Sequence, residues 1–191
     1  LLIIGFGHRA RQGKNTAAAA VQECFPLDTN VGMASFADAL RMEVRKASAK
    51  MGGAYYLVQD FKAAGLMPDW VQAEPSGKQR LILQWWGTDY RRKQDPDYWV
   101  KKLMAKLDAW QPDAVLITDV RFPNEADAIK AAGGVLVKVV RTSEPDFVVN
   151  EHPSESALDA YTGWDYTLRA ADVPELKQKA RALYAEIVRS R

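Results

Sequence analysis

LLIIGFGHRARQGKNT, residues 1–16, is the stretch on which the reading of the whole chain turns. Its four leading apolar residues read as a buried strand. A turn with glycines and arginines follows, and Gly13-Lys14-Asn15-Thr16 opens a helix. A strand, a glycine-bearing turn and a helix in that order make a phosphate site, because the first N–H groups of a helix have no intrahelical partner and its dipole favours an anion. In that frame Lys14 reaches the β and γ phosphates and the Thr16 hydroxyl ligates Mg²⁺. The spacing departs from G-x-x-x-x-G-K-[ST] at two places. His8 stands five residues before Gly13, with Gly7 one residue further out, and Asn15 follows Lys14, with Thr16 one residue later. The plainer alternative is a glycine-rich turn of an ordinary α/β domain.

The 191 residues suit about one domain with a sizeable core. Hydrophobic residues at 48% and charged residues at 26% are ordinary for a globular chain. A net charge of +2 argues against a general nucleic-acid binder, so local basic clusters read as sites for small anions. The single Cys24 excludes an internal disulfide framework, and with two histidines a zinc site has little to stand on. No apolar run approaches the ~20 residues that span a bilayer, and no signal peptide is visible, so a reducing cytoplasm is the expected compartment. Leu1 begins inside the strand pattern with no initiator Met, so further residues are expected before it.

Along the chain, AAAAVQECF after Thr16 favours a helix by propensity, and Val31 to Phe36 reads as a second strand. Residues 39–51 have helical composition and end at Gly52-Gly53. Residues 54–77 carry mixed signals, with short helices and loops around Gly65, Pro68 and Pro75. Lys78 to Trp86 reads as a helix interrupted at Gly87-Thr88, and Asp97 to Trp110 carries an apolar stripe at 3.6-residue spacing. Ala114 to Thr118 and Val135 to Val140 are apolar, strand-like runs, with a helix from Asn124 to Ala132 between them. Trp164 to Leu168 reads as a last short strand and Val173 to Arg189 as a closing helix. Alternating strands and helices predict an α/β fold with a parallel sheet. The phosphate turn, Asp38, Asp119 and Arg141 then fall at the carboxyl edge of that sheet, where open α/β sheets bind ligands.

Several residues at that edge suit phosphoryl chemistry. Asp119, in D-V-R-F-P-N-E, is placed to hold Mg²⁺ directly or through water, and Arg121 to clamp a phosphate. Arg91 and Arg92 follow Trp85-Trp86-Gly87-Thr88. The arginines suit a nucleotide phosphate, and the tryptophans are either a base platform or core. Asp38 and Arg41, in S-F-A-D-A-L-R, serve either an acceptor or the start of a helix, Asp being a good cap. Arg9, Arg11 and Arg141 could neutralise nucleotide phosphates. His152, Ser154 and Glu155 resemble a hydrolase triad in composition only, since no nucleophile elbow is present. They read as a lid or as plain loop.

Taken together, G-H-R-A-R-Q-G-K-N-T, S-F-A-D-A-L-R, Q-W-W-G-T-D-Y-R-R, I-T-D-V-R-F-P-N-E-A-D-A-I, V-V-R and H-P-S-E resemble the deoxynucleoside monophosphate kinases of tailed bacteriophages, in order and approximate spacing from the first strand to about Asp159. The resemblance implies a three-layer P-loop kinase fold. Its parallel sheet would be flanked by helices, with a helical acceptor-binding region at about 39–110 and a lid-like loop at about 142–160 within a single domain. It implies transfer of the γ-phosphate of ATP to a dNMP with Mg²⁺. Carried over by position, Lys14 and Thr16 match the family's phosphate-loop Lys and hydroxyl, and Arg91, Asp119 and Arg121 its acceptor-side Arg and D-x-R pair. Together with the residue reading above, this gives the expected site: Lys14, Arg91, Asp119 and Arg121 take catalytic roles. Gly7, Arg11, Gly13, Lys14, Asn15, Thr16 and Arg141 bind ATP. Asp38, Arg41, Trp85, Trp86, Arg91, Arg92, Arg121 and Glu125 meet the acceptor, and Thr16 and Asp119 the metal. ATP and dNMP are the partners implied, with no stable nucleic-acid or membrane binding, and kinases of this kind are often homodimers. Two departures stand out: the family commonly has G-K-D-T where this chain has Asn15, and one residue fewer between the glycines than Gly7 to Gly13. The alternatives are another small-molecule kinase, of the phosphomevalonate type, a non-kinase P-loop NTPase, and a catalytically dead nucleotide-binding module. A GTPase is disfavoured because N-K-x-D is absent and D-V-R-F lacks D-x-x-G. The intact Lys14, Thr16 and Asp119 argue against the dead module.

Overall fold

The computed structural model describes residues 1–74, 79–143 and 152–190. The turn expected at Pro75 and the 144–151 part of the expected lid-like loop lie outside these residues. The chain forms two compact units, one of residues 1–35 and 105–191, the other of residues 36–104.

The first unit is built on a five-stranded sheet of β1 (Leu2–Gly7), β2 (Val31–Ala34), β3 (Ala114–Val120), β4 (Val135–Arg141) and β5 (Tyr166–Ala170) in the order β2-β3-β1-β4-β5. Every pairing is parallel, with Leu2 opposite Ala114, Ile4 opposite Val135, Val31 opposite Ala114 and Val137 opposite Tyr166. All five strands form at the runs read as strands, with β1 running on to Gly7, β2 stopping at Ala34 short of Phe36, and β5 spanning Tyr166–Ala170 instead of Trp164 to Leu168. A central parallel strand needs apolar residues on both faces. Ile3, Ile4 and Phe6 of β1 and Val115, Leu116 and Ile117 of β3 are all buried.

Helix α1 (Lys14–Gln22) lies close to the sheet through Ala17, Ala18, Ala20 and Val21, all fully buried. Leu176, Ala180, Leu183 and Ile187 of α8 (Val173–Arg189) complete that core. Asp172 caps α8, its Oδ1 accepting from the Glu175 N–H at 2.8 Å. α6 (Pro123–Ala131) seats Ala126 and Ile129 against β1 and β4. Because strand order reverses at β1, the turns after β1 and β3 open at one edge of the sheet, where ligands enter.

The second unit is helical. It contains α2 (Phe36–Lys50), α3 (Ala54–Ala63) and α4 (Arg80–Gln84), which runs on as a π-helical segment (Trp85–Arg92), and the start of α5 (Tyr98–Trp110). Two expectations change here. α2 begins at Phe36, not near residue 39, so Asp38 sits inside the first turn and is not its cap. There its carboxylate still meets the positive end of the helix dipole. Gly87-Thr88 does not interrupt the helix; the backbone widens to i→i+5 bonding and passes through both residues. The Gly87 carbonyl accepts from the Trp99 indole N–H at 3.0 Å, which ties the wide turn to α5.

Candidate active site

The turn between β1 and α1 has the backbone of a phosphate loop even where its letters differ. His8, Arg11 and Gly13 have positive φ, at 94°, 56° and 92°. His8 thus adopts a left-handed conformation usual for glycine at the very position where the motif has its first glycine. At Gly13 a side chain would be strained, and its Cβ would lie 2.5 Å from Leu176 Cδ2. Gly7 is needed for a different reason: a Cβ there would come within 2.5 Å of the Trp164 ring.

Lys14 is buried beneath this turn, 7% exposed, and its ammonium donates to the carbonyl oxygens of His8, at 3.0 Å, and Arg9. Burial, seconded by the charge of Arg121, pushes its pKa down to about 8, while Glu155 and Asp119 oppose that shift. Arg11 and Asn15 are exposed at the rim and Thr16 is half-buried in the first turn of α1. Gln12 ties the loop to β4, its Oε1 accepting from the Arg141 N–H at 2.6 Å, while the Arg141 guanidinium donates to Ser143 Oγ, also at 2.6 Å.

Asp119, near the end of β3, accepts from Ser35 Oγ at 2.6 Å, which fixes one carboxylate oxygen at the carboxyl edge of the sheet. Glu125 is 2% exposed and accepts from the N–H groups of Arg121, at 2.8 Å, and Phe122, at 3.1 Å. Its sequence-based place at the acceptor therefore gives way to a shaping one: the carboxylate holds the β3–α6 turn that carries Arg121, in the manner of half a capping box.

The residues read as lid or plain loop contain a part of the site that the sequence does not reveal. Glu155, in α7 (Pro153–Ser156), is 7% exposed. Its Oε2 accepts from the Ala10 N–H at 2.6 Å, and its Oε1 pairs with Arg121 Nη1 at 2.5 Å. Burial alone would raise the Glu155 pKa, but the Ala10 N–H and Arg121 together hold it below the usual carboxylate range. Asp159 accepts from Arg9 Nε at 3.1 Å and Nη2 at 2.6 Å, and His8 Nε2 lies 3.4 Å from it. Burial, then the charge of Lys138, lowers the His8 pKa, against the opposing charge of Asp159. His152 caps α7, its Nδ1 accepting from the Ser154 N–H at 3.2 Å and lying 2.8 Å from Ser154 Oγ, while the Glu155 carboxylate is taken up by the Ala10 N–H and Arg121.

In the helical unit, Arg91 is held by Glu43 and by aromatic faces. Its Nε donates to Glu43 Oε2 at 3.0 Å, and its guanidinium carbon lies 5.0 Å from the Tyr98 ring centre and 5.2 Å from that of Tyr90. The same carboxylate accepts from Trp86 Nε1 at 3.2 Å and from the Tyr98 hydroxyl. Burial would raise the Glu43 pKa, but these hydrogen bonds and the Arg91 charge lower it. Trp85 and Trp86 are 3% and 5% exposed; Trp85 stacks on Tyr90 with centroids 5.1 Å apart. Their faces are core, not an open base platform, which is the commoner fate of aromatics at helical spacing. Arg92 Nη1 donates to the Pro96 carbonyl at 3.2 Å, and Asp38 and Arg41 form a solvent-exposed pair at 3.2 Å.

Among the described residues no group of three or more His, Cys, Asp or Glu side chains could hold a metal unaided. Thr16 and Asp119 are hard oxygen donors at the loop and the sheet edge. That sparse set fits Mg²⁺, which is commonly held by one or two protein oxygens together with nucleotide phosphates and water.

A parallel sheet in this order, with a buried lysine under a left-handed turn after β1 and an acidic residue at the end of β3, defines a P-loop phosphotransferase. The deoxynucleotide monophosphate kinase family model matches residues 69–179. A protein of Acanthamoeba polyphaga mimivirus named as a deoxynucleotide monophosphate kinase is 31% identical, with 88% of each chain covered. The deoxynucleoside-5'-monophosphate kinase of Escherichia phage T5 is 33% identical over 87 residues, 42% of this chain and 35% of that one. A shikimate kinase from Acinetobacter baumannii, solved with shikimate, overlays with a TM-score of 0.44 at 12% identity over 99% of this chain and 94% of its own. That overlay adds nothing to the topology. The chain belongs to the deoxynucleotide monophosphate kinase family, and it is a phosphotransferase acting on deoxynucleoside monophosphates.

Proposed function

We propose that the phosphate loop and its surroundings hold ATP while an oxygen of the dNMP phosphate attacks the γ-phosphorus. The bond from that phosphorus to the bridging oxygen of ADP breaks, and ADP and a dNDP leave. Such a transfer asks mainly for positioning and for charge spread over the moving phosphoryl group. Lys14 supplies one such charge from beneath the loop, and Arg121 supplies a second at the end of β3. Gly7, Arg11, Gly13, Asn15 and Arg141 line the donor phosphates. Thr16 and Asp119 would hold Mg²⁺, which when bound neutralises charge on the nucleotide oxygens. Arg91, Arg92, Asp38 and Arg41 are assigned to the acceptor, with Glu43 fixing the plane of the Arg91 guanidinium. Free nucleotides of the cytoplasm are the substrates this chemistry fits, and among the described residues no helix is long and apolar enough to cross a membrane.

The observation that carries the donor assignment is Lys14, buried and bonded to the carbonyls of a turn with three left-handed residues. Purified protein with ATP and Mg²⁺ is expected to form ADP only when a dNMP is added, and Lys14→Ala to reduce that rate to background. A panel of dGMP, dTMP, dCMP, dAMP, hydroxymethyl-dCMP and phosphomevalonate reads out the acceptor. Acceptor-independent hydrolysis, or turnover of phosphomevalonate alone, overturns the assignment.

A further inference from the structure

We propose that Glu155 is a positioning residue of the transfer reaction, one carboxylate that sets both the phosphate loop and Arg121. This rests on the kinase reading above. A carboxylate is rarely this buried unless it is paired and hydrogen-bonded, because losing its hydration is costly. Glu155 has both compensations, and they come from two parts of the site. One oxygen takes the Ala10 N–H at 2.6 Å, in the outer limb of the phosphate loop. The other takes Arg121 Nη1 at 2.5 Å, at the end of β3. Fixed at both oxygens, the carboxylate makes the position of the loop and that of the arginine depend on each other.

A neighbouring tie acts on the same limb. Asp159, four residues on, pairs with the Arg9 guanidinium at 2.6 Å, and the His8 imidazole lies 3.4 Å from it. His8, Arg9 and Ala10 are thus held from outside by residues 155–159 and from beneath by the Lys14 ammonium. The limb so held begins with a non-glycine residue at φ 94°, a conformation that persists where surrounding contacts over-determine it. Glu155 supplies the contact that also reaches a proposed catalytic arginine. Arg121 Nη1 donates to Glu155 Oε1 at 2.5 Å and reaches the Ser154 carbonyl at 3.5 Å, and a guanidinium fork carries further N–H donors that can meet a phosphate oxygen while Glu155 holds its orientation.

The opposite reading of the same contacts is a plug: a carboxylate occupying an anion site that ATP must clear. The two are separated by sign. Glu155→Gln keeps the size and an acceptor oxygen for the Ala10 N–H but loses the charge that orients Arg121. With ATP and a dNMP accepted by the wild type, it is expected to lower kcat about ten- to a hundredfold, with the dNMP KM little changed. Glu155→Asp keeps the charge with a shorter reach and is expected to recover part of the loss; it also serves if the glutamine variant does not fold. In a double-mutant cycle, Glu155→Gln is expected to cost far less in an Arg121→Ala background than in the wild type. ADP binding by calorimetry supplies a readout independent of turnover. Tighter ADP or ATP binding by Glu155→Gln, kcat within about twofold of wild type, or additivity in the cycle overturns the proposal. Wild-type protein that turns over no dNMP overturns the kinase reading instead, so the two failures are told apart.

Discussion

At the scale of single residues, the phosphate loop is specified by backbone conformation more than by residue type. Gly13 answers two demands at once, a φ of 92° and the 2.5 Å approach of Leu176 to any Cβ placed there. Gly13→Ala is therefore expected to destabilise the fold by roughly 1–3 kcal/mol, as a urea midpoint shift at unchanged slope, and to weaken ATP binding. A midpoint equal to wild type counts against the left-handed loop. His8 meets the same kind of demand without being glycine, which is why matching letters against G-x-x-x-x-G-K-[ST] finds an irregular loop while the dihedral angles follow the pattern. Glu43 makes a comparable case in the helical unit, accepting from Trp86, Arg91 and Tyr98. Its pKa is lowered from 4.5 on folding, so it stabilises the native state above that value and the contribution is lost as pH falls through the native pKa. Glu43→Gln is expected to cost about 1–3 kcal/mol at pH 7, with the gap from wild type closing in acid below pH 4.5. A gap that is constant from neutral pH into acid contradicts this account.

At the scale of elements, the sheet was legible because buried parallel strands are nearly continuous apolar runs, and Ala114-Val-Leu-Ile and Val135-Leu-Val-Lys-Val-Val are hard to read otherwise. The helix Val173–Arg189 was equally plain, with Pro174 in its first turn and apolar residues at 176, 180, 183 and 187. Lys14, Thr16, Asp119 and Arg121 were legible as candidates because the strand ends locate them. What escaped was settled by partners distant in sequence. Glu155 is separated from Ala10 by 145 residues and Glu43 from Arg91 by 48, and no local pattern marks a carboxylate that will be buried by such contacts. The π-helical segment escaped for a local reason: Gly87-Thr88 weakens an α-helix, and propensity does not distinguish ending a helix from widening it. A wide turn presents its side chains about one position out of phase with an α-helix. Deleting Thr88 is accordingly expected to return the segment to α-helical phase, rotate Arg91 off Glu43, and raise the dNMP KM. An unchanged KM would show that Arg91 does not depend on this geometry.

At the scale of the whole molecule, the metal and the fold are expected to be separable. Among the described residues no acidic or histidine cluster could bind a cation alone, so EDTA should abolish phosphoryl transfer and leave the melting temperature of the nucleotide-free protein within about 1 °C. A large drop would reveal a structural metal. ATP with Mg²⁺ at a hundred times its Kd should add about 2.7 kcal/mol of stability, and Asp119→Asn should remove the part that depends on Mg²⁺. The strand order has a consequence for how the chain is made. β1 is central to the sheet, yet Leu2 pairs with Ala114 and Ile4 with Val135. At roughly 5–20 residues per second, a ribosome releases β1 on the order of ten seconds before either partner exists. The helical unit of residues 36–104 is completed within that interval. This central apolar strand must therefore outlast translation of an entire neighbouring unit before its own sheet can close, and it is there that a nascent-chain chaperone would find its binding segment.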